Sequence, residues 1–581
     1  MLKNDVDQSR RTVITWLAAL AGSSLLSSCC SFARSCGISI PHPEPETLPA
    51  SDSKFKFAIF DCHTHIFNAK DLQVKGYLEG PVALDYDENK NPVLARVIRK
   101  LAGPIQVFGH SFAPGAADEV KKLSMPSVSL RQVNSTAVSE EENATRNLLV
   151  NLLNQINFNK ELKIAAAQEN ELQSFGHVSD FPYDRAAVDN ILDAHLPGNE
   201  DKLIQLKDRK EIGFIVFLRN ALSYRFQNVQ HLWEAYGSNQ DIRPDAYFIS
   251  LVDFDYLLEE PGRHCSTPVC IKDQILLSEA LVKRFGGAVI PLVPYNPWKD
   301  RKEAGQSFRD VVDAIENHGF VGVKIYPTLG FAPFGNTDIG ANNPPAIWKK
   351  IEPVTDPKVI GVELDQHLLR LLTWCAQNEV PIMAHNGCSM GTGIDEIDLA
   401  APQYWGKALK ASYEATNKPL RVNLGHFGGE KNCHCDHLDA EFCWQSDFIQ
   451  LMNNPEGRWL YADIAYWKSF LLREDDPINK FLAKQLASGK VLRSHLMYGS
   501  DWFMISQEKN YWNYAENIHN WADKVDSSKD LTQRLFHSNI ADLFGLRAKD
   551  QDGNTPASRS RLEKYYAKNN IPTPLWMGKL L

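Results

Sequence analysis

Short apolar runs recur along the chain from residue 55 onward, each bounded by polar or turn-forming residues. Runs of this length are typical of buried parallel strands. Between several of them, apolar residues recur with helical spacing, as from Phe308 to Ile315. Alternating strands and helices predict an α/β fold, a (β/α)8 TIM-like barrel; a doubly wound open sheet is the alternative. The eight candidate strands are 57–61, 246–252, 288–294, 320–326, 380–385, 422–426, 460–464 and 496–499.

The spacing of these strands is uneven. The interval between the first strand and the second is far too long for a simple connection. It therefore predicts a mostly helical cap at about 78–240, inserted after the first strand of a barrel domain that spans 55–546. A C-terminal extension, 547–581, is expected to strap across the surface.

The N-terminus has the pattern of an export signal. Arg10 and Arg11 precede a short apolar stretch at 16–26, which favours the twin-arginine route. The residues before Cys29 resemble a lipobox, which predicts a signal over 1–28, a lipid anchor at Cys29 and a proline-rich tether over 29–54. The protein is then an exported periplasmic or cell-envelope lipoprotein that meets the membrane only through this anchor. A retained signal anchor, or a chance arginine pair, is the alternative.

Composition narrows the class of protein. The chain has 581 residues, 44% hydrophobic and 23% charged, with a formal net charge of −9. These values exclude a disordered or fibrous chain, and the acidic balance argues against a nucleic-acid partner. Two groups of cysteines are notable. The first pair is spaced closely enough to form a disulfide, whereas the second group favours a loop disulfide or free thiols over a zinc site, because its spacing lacks a second regular pair. The groups are Cys265 with Cys270, and Cys433, His434, Cys435 and Cys443.

The candidate chemistry lies where the predicted strands end. His63 and His65 are two residues apart, so both rings point to the same side of the first strand. His385 and His426 end two later strands, and Asp501 follows the last one. Since the carboxyl ends of parallel strands form the active-site face of a barrel, these side chains predict a divalent-metal site. Taken singly, His385 or His426 would suit a packed core and Asp501 would suit a helix cap.

Five segments together resemble the amidohydrolase superfamily, and most closely its amidohydrolase-related branch of metal-dependent hydrolases and decarboxylases. The similarity covers roughly 55–95 and 245–546, and the helix beginning near His537 matches as well. The segments are 61–65, 322–327, 384–387, 425–429 and 499–502.

The resemblance implies specific roles. His63, His65, His385 and Asp501 would bind one metal, most simply zinc, and His426 would orient water or polarise the substrate carbonyl. Asp501 would also act as general base.

Lys324 has two possible roles under this resemblance. It would either contact an acidic substrate group, or be carbamylated and bridge two metals, with His426 as a second-metal ligand.

The leading functional prediction is a hydrolase that uses metal-activated water on an amide, ester or lactone of a small molecule. The alternatives are a non-oxidative decarboxylase that holds a small carboxylate, and a non-catalytic ligand-binding envelope lipoprotein. Either packing or a place in the pocket wall would account for the residues that flank the ligands. These are Tyr326, Asn386, Cys388 and Trp502.

Overall fold

Eight parallel strands form the centre of the fold, in the order in which they occur along the chain. Each is short and buried along its whole length, as expected for a sheet covered by helices. The backbone N–H of Cys62 donates to the carbonyl oxygen of Tyr498, 3.2 Å away, and links the last strand to the first. The predicted barrel is therefore confirmed and the open sheet is not observed. The strands are β1 Phe60–Thr64, β2 Ala246–Ser250, β3 Val289–Pro294, β4 Gly322–Ile325, β5 Ile382–His385, β6 Val422–Gly425, β7 Leu460–Asp463 and β8 Leu496–Met497.

The structure is a computed structural model that describes twelve stretches of the chain. The predicted signal, Cys29, the tether and Cys388 lie outside them, as do Cys265, Cys433, His434 and Cys435. Cys270 and Cys443 are disulfide-bonded, whereas Cys62 and Cys375 are free thiols. The described residues are 55–88, 91–124, 139–168, 183–199, 201, 211–236, 242–258, 267–387, 391–430, 442–472, 475–550 and 552–580.

Helices fill the long interval between β1 and β2, which confirms the mostly helical insertion. Several carry a buried apolar stripe, and Ile212–Leu222 is buried along almost its whole length. No helix in the described ranges is long and apolar enough to cross a membrane. The main helices of this interval are Val74–Tyr77, Ala83–Glu88, Pro92–Phe112, Ala116–Leu123, Glu140–Gln155, Phe158–Gln168, Arg185–Ala194, Ile212–Leu222 and Arg225–Ala235.

The outer layer of the barrel is formed by the helices between the later strands. Their apolar faces pack on the sheet, and Leu364, Leu368 and Leu372 of the longest helix are fully buried. The main helices are Ile271–Arg284, Pro297–Lys302, Gln306–Asn317, Asn336–Asn342, Ala346–Ile351, Pro357–Asn378, Pro402–Thr416, Cys443–Met452, Pro477–Gln485, Trp502–Ile505, Tyr514–Val525 and Asn539–Leu543.

The C-terminal extension differs from the predicted surface strap. Its helices Ala557–Lys568 and Leu575–Gly578 pack into an apolar cluster with residues at the amino ends of the strands. The ring of Trp576 lies 5.7 Å from that of Phe60, and its indole N–H donates to the carbonyl oxygen of Gly287 at 3.0 Å. The extension therefore covers the end of the barrel opposite the predicted site. It can do so because large apolar residues lie between its polar ones and become buried.

Candidate active site

The two histidines of β1 lie at the carboxyl end of the barrel with their rings 5.6 Å apart. Nδ1 of His65 donates to the carbonyl oxygen of Ser250 at 2.9 Å, so in the neutral ring Nε2 carries no proton and acts as an acceptor. Nε2 of His65 lies 3.7 Å from Oδ1 of Asp501 and 3.2 Å from the Tyr326 hydroxyl. Burial lowers the pKa of His65 well below its usual value, and the neighbouring Lys324 and His63 lower it further.

Asp501 follows β8 in a left-handed conformation, with φ of 51°. Its backbone N–H donates to the carbonyl oxygen of His63 at 2.7 Å, which fixes the residue beside β1. The side chain makes no capping bond to the helix Trp502–Ile505, so the capping role that its position suggests is not observed. Oδ1 is buried and has no hydrogen-bond partner within the described part of the chain. A buried carboxylate oxygen of this kind needs a cation or a proton donor.

His426 and His385 face each other from neighbouring strands, with ring centroids 4.7 Å apart. His426 has a φ of 67°, and its Nδ1 donates to the carbonyl oxygen of Ala465 at 2.8 Å. Burial lowers the pKa of His426 to about 4, helped by the neighbouring His63, so the ring is neutral at physiological pH. His385 also stacks on Tyr326 at 5.4 Å.

Lys324 lies on β4 and is fully buried. Its Nζ donates to Nε2 of His63 at 3.0 Å and lies 4.9 Å from the centre of the Tyr326 ring. Burial lowers the pKa of Lys324 to about 8, against the attraction of Asp463 and Asp501. The lysine therefore lies among the candidate ligands, where both of its predicted roles would place it.

Asp463, the last residue of β7, is a site residue that the sequence analysis missed. Its Oδ2 accepts a hydrogen bond from Nδ1 of His63 at 3.0 Å. Burial alone would raise the pKa of this carboxyl, but His63 and His426 hold it well below its usual range. Its place at a strand end, like that of His385, was the available signal.

Two overlapping groups of buried ligand atoms result. One contains His63, His65 and Asp501, and the other contains His63, His426 and Asp463; within each group the atoms lie within 4.8 Å of one another. His385 joins them through its ring contact with His426. Imidazole nitrogens and carboxylate oxygens are the donors that first-row divalent ions accept, so the residues fit such an ion.

Of the predicted pocket residues, Tyr326 lies against His65 and His385 as described above. Asn386 points elsewhere: its Oδ1 accepts from the Trp405 indole at 2.6 Å and its amide donates to the carbonyl oxygen of Ala400. Packing therefore accounts for Asn386. Trp502 is 1% exposed, and its indole N–H has no partner among the described residues.

The helical insertion contacts residues next to the site. The hydroxyl of Tyr236 donates to Oδ2 of Asp61, a fully buried carboxylate that also accepts from the N–H and hydroxyl of Ser500 at 2.9 and 2.6 Å. Nε2 of His195 donates to the carbonyl oxygen of Ser506 at 2.7 Å, just beyond the helix that follows Asp501. Nothing in the sequence around Tyr236 indicated this contact.

Known proteins share little sequence with this chain. No family model matches the chain, and no curated protein matches it in sequence. Similar solved structures include an uncharacterized TIM-barrel protein from Bordetella bronchiseptica, with 15% identity over 60% of this chain and 84% of that one and a TM-score of 0.33. They also include 2,6-dihydroxybenzoate decarboxylase from Rhizobium, with 12% identity over 57% of this chain and 92% of that one and a TM-score of 0.34.

A third similar structure is a proposed metal-dependent hydrolase from Lactobacillus casei, with 13% identity over 63% of this chain and 87% of that one and a TM-score of 0.30.

Proposed function

We propose that this protein is a metal-dependent hydrolase of the amidohydrolase superfamily that cleaves an amide, ester or lactone bond of a small molecule. The observation that carries the proposal is the unpartnered Oδ1 of Asp501, buried 3.7 Å from Nε2 of His65 at the carboxyl end of the barrel. His63, His65, His385 and Asp501 would hold a single divalent ion, most simply zinc. When bound there, the ion supplies Lewis acidity and lowers the pKa of a water toward ~7.

The residues of the chain supply the proton transfers. Asp501 takes a proton from the attacking water and returns it to the leaving group. His426 already carries its proton on Nδ1, where the carbonyl oxygen of Ala465 accepts it, so its Nε2 is a hydrogen-bond acceptor. This geometry supports orientation of the water by His426 and disfavours donation from its Nε2 to the substrate carbonyl.

The role of Lys324 depends on the number of metals. With one ion, its buried amine is available to an acidic group of the substrate. With two ions, the amine would add carbon dioxide and lose a proton, the oxygens of the resulting carbamate would be metal ligands, and His426 would serve the second ion. The ratio of metal to protein, measured by elemental analysis, separates the two.

The test of the hydrolase is the variant Asp501→Asn in the full chain. We expect turnover of a responsive ester, lactone or amide to fall by about 10²–10⁴-fold, because the general base is lost. Metal content should fall much less, since three imidazoles remain. The exposed Asp338→Asn is the matched control and should retain activity. Normal turnover in Asp501→Asn would refute the general-base role.

A lyase is the second candidate, favoured by the buried amine of Lys324, which suits a substrate carboxylate. Release of carbon dioxide without uptake of oxygen from labelled water would identify it. Stoichiometric metal with no turnover of either kind would favour the ligand-binding lipoprotein.

We also propose that the protein is exported and carries a lipid anchor at Cys29. Fractionation of cells into membrane and soluble protein tests the anchor, and we expect the protein in the membrane fraction.

A further inference from the structure

We propose that Asp463 is a positioning residue that fixes both the tautomer and the orientation of His63, so that Nε2 of His63 faces the other candidate ligands. This inference rests on the proposed function in one respect: the proposed function identifies the metal ion that Nε2 of His63 would bind. Asp463 touches neither substrate nor ion in this role; it acts through the histidine.

The contacts of Asp463 reach two other strands, β1 and β6. Oδ2 accepts from Nδ1 of His63 on β1 at 3.0 Å and from the side-chain amide of Asn423 on β6 at 2.7 Å. Oδ1 accepts from the backbone N–H groups of His426 and Ala465, both at 3.0 Å. The carboxylate and the His63 side chain are 0% exposed, so water does not compete for these bonds.

The bond to Nδ1 decides which nitrogen of His63 carries the proton. A carboxylate accepts and does not donate, so the proton lies on Nδ1 and Nε2 keeps its lone pair. Nε2 in turn lies 3.0 Å from Nζ of Lys324 and belongs to the group of ligand atoms around Asp501 and His65. A carboxylate behind a ligating imidazole also raises the basicity of the ligand and restricts rotation of the ring.

The second oxygen of Asp463 extends the same control to His426. Oδ1 accepts from the backbone N–H of His426, a residue in the left-handed region. It also accepts from the backbone N–H of Ala465, and the carbonyl oxygen of Ala465 in turn accepts from Nδ1 of His426. One carboxylate thus sets the direction of two rings whose centroids are 4.8 Å apart. Both oxygens accept only from N–H donors, so an amide side chain cannot satisfy all four bonds.

The experiment measures Zn²⁺ affinity of the full chain by competition with a chromophoric chelator. Asp463→Asn keeps the size of the side chain but places an NH2 group against existing donors, and we expect affinity to fall about 10–100-fold. The matched control is Asp365→Asn. Asp365 is also a buried carboxylate that accepts several N–H bonds, including those of Gly335, Asn336 and Thr337, but lies outside the site. The control should bind Zn²⁺ as the unaltered protein does.

Equal Zn²⁺ affinity in Asp463→Asn and the unaltered protein would overturn the proposal, as would an equal loss in Asp365→Asn. A second measurement needs no folded Asp463 variant. In metal-free protein labelled with 15N-histidine, the His63 resonances, assigned by their loss in His63→Gln, should show the proton on Nδ1; a proton on Nε2 alone would overturn the proposal. If the unaltered protein binds no divalent ion, the proposed function fails while this measurement still decides the role of Asp463.

Discussion

Two buried aspartates beside the candidate site, Asp463 and Asp61, differ in their hydrogen-bond partners. Asp463, the last residue of β7, accepts from an imidazole, an amide and two backbone N–H groups. Asp61, on β1 beside the loop after β8, accepts from the hydroxyls of Tyr236 and Ser500 and from backbone N–H groups. Both carboxylates are fully buried.

The difference in partners appears in the pKa values. Burial raises the pKa of Asp61 to about 6, and its hydrogen bonds offset this only in part. The pKa of Asp463 moves the other way, because the interactions with His63 and His426 together outweigh the effect of burial. Neutral donors therefore suffice to place a carboxylate, whereas an ionisable partner is needed to keep it charged in the interior. Asp463 thus contacts the candidate ligands His63 and His426, whereas Asp61 links Tyr236 of the insertion to β1.

The largest effect is expected from Asp463→Ala. Removal of the carboxylate leaves His63 Nδ1, the Asn423 amide and two N–H groups without their acceptor, and we expect the free energy of unfolding to fall by ~3–5 kcal/mol. Urea denaturation of metal-free protein measures it. Asp61→Ala should cost less, about 1–3 kcal/mol, since its partners are neutral. An equal or greater loss in Asp61→Ala would break the comparison.

An intermediate effect is expected from Tyr236→Phe, which removes the hydroxyl that the insertion contributes to Asp61. We expect a loss of about 1.5 kcal/mol in the free energy of unfolding. Tyr498→Phe is the control, because its hydroxyl bonds that of Tyr236 at 2.9 Å and should cost about half as much. If the two variants lose the same stability, the bond to Asp61 is not what joins the insertion to β1.

The smallest effect concerns a histidine–carboxylate pair at the surface. Nδ1 of His318 lies 2.7 Å from Glu279, and this hydrogen bond raises the pKa of His318, while burial works against it. The charged histidine therefore stabilises the fold fully below pH 6.5, its ordinary value, and the contribution is lost as the pH rises through the raised pKa.

Because His318 is partly exposed, solvent screens the pair, and His318→Gln should lower stability at pH 5.5 by less than about 1 kcal/mol. At pH 8 the variant should match the unaltered protein; thermal unfolding at both values measures the difference. An equal loss at pH 8 would show that packing, not charge, is responsible. The loss of stability in His318→Gln can then be compared with that in Asp463→Ala. The difference shows how much more a fully buried histidine–carboxylate pair contributes to stability than a partly exposed one.

The strand positions and most site residues could be predicted because they depend on local pattern. Apolar runs identify strands, and a polar residue at the end of such a run lies at the open face of a barrel, as His385, His426 and Asp501 do. Asp463 met the same criterion, but its role depends on the pairing of its oxygens with groups on β1 and β6, which no local pattern records. Tyr236 was beyond prediction for the same reason, since it reaches Asp61 across 175 residues.

The helix around Trp576 has a consequence for how the protein is made. Phe60, the first residue of β1, is covered by a side chain that leaves the ribosome hundreds of residues later. Until then Phe60 lacks the ring that covers it. A chain truncated before residue 576 should therefore expose aromatic surface at the amino end of the barrel.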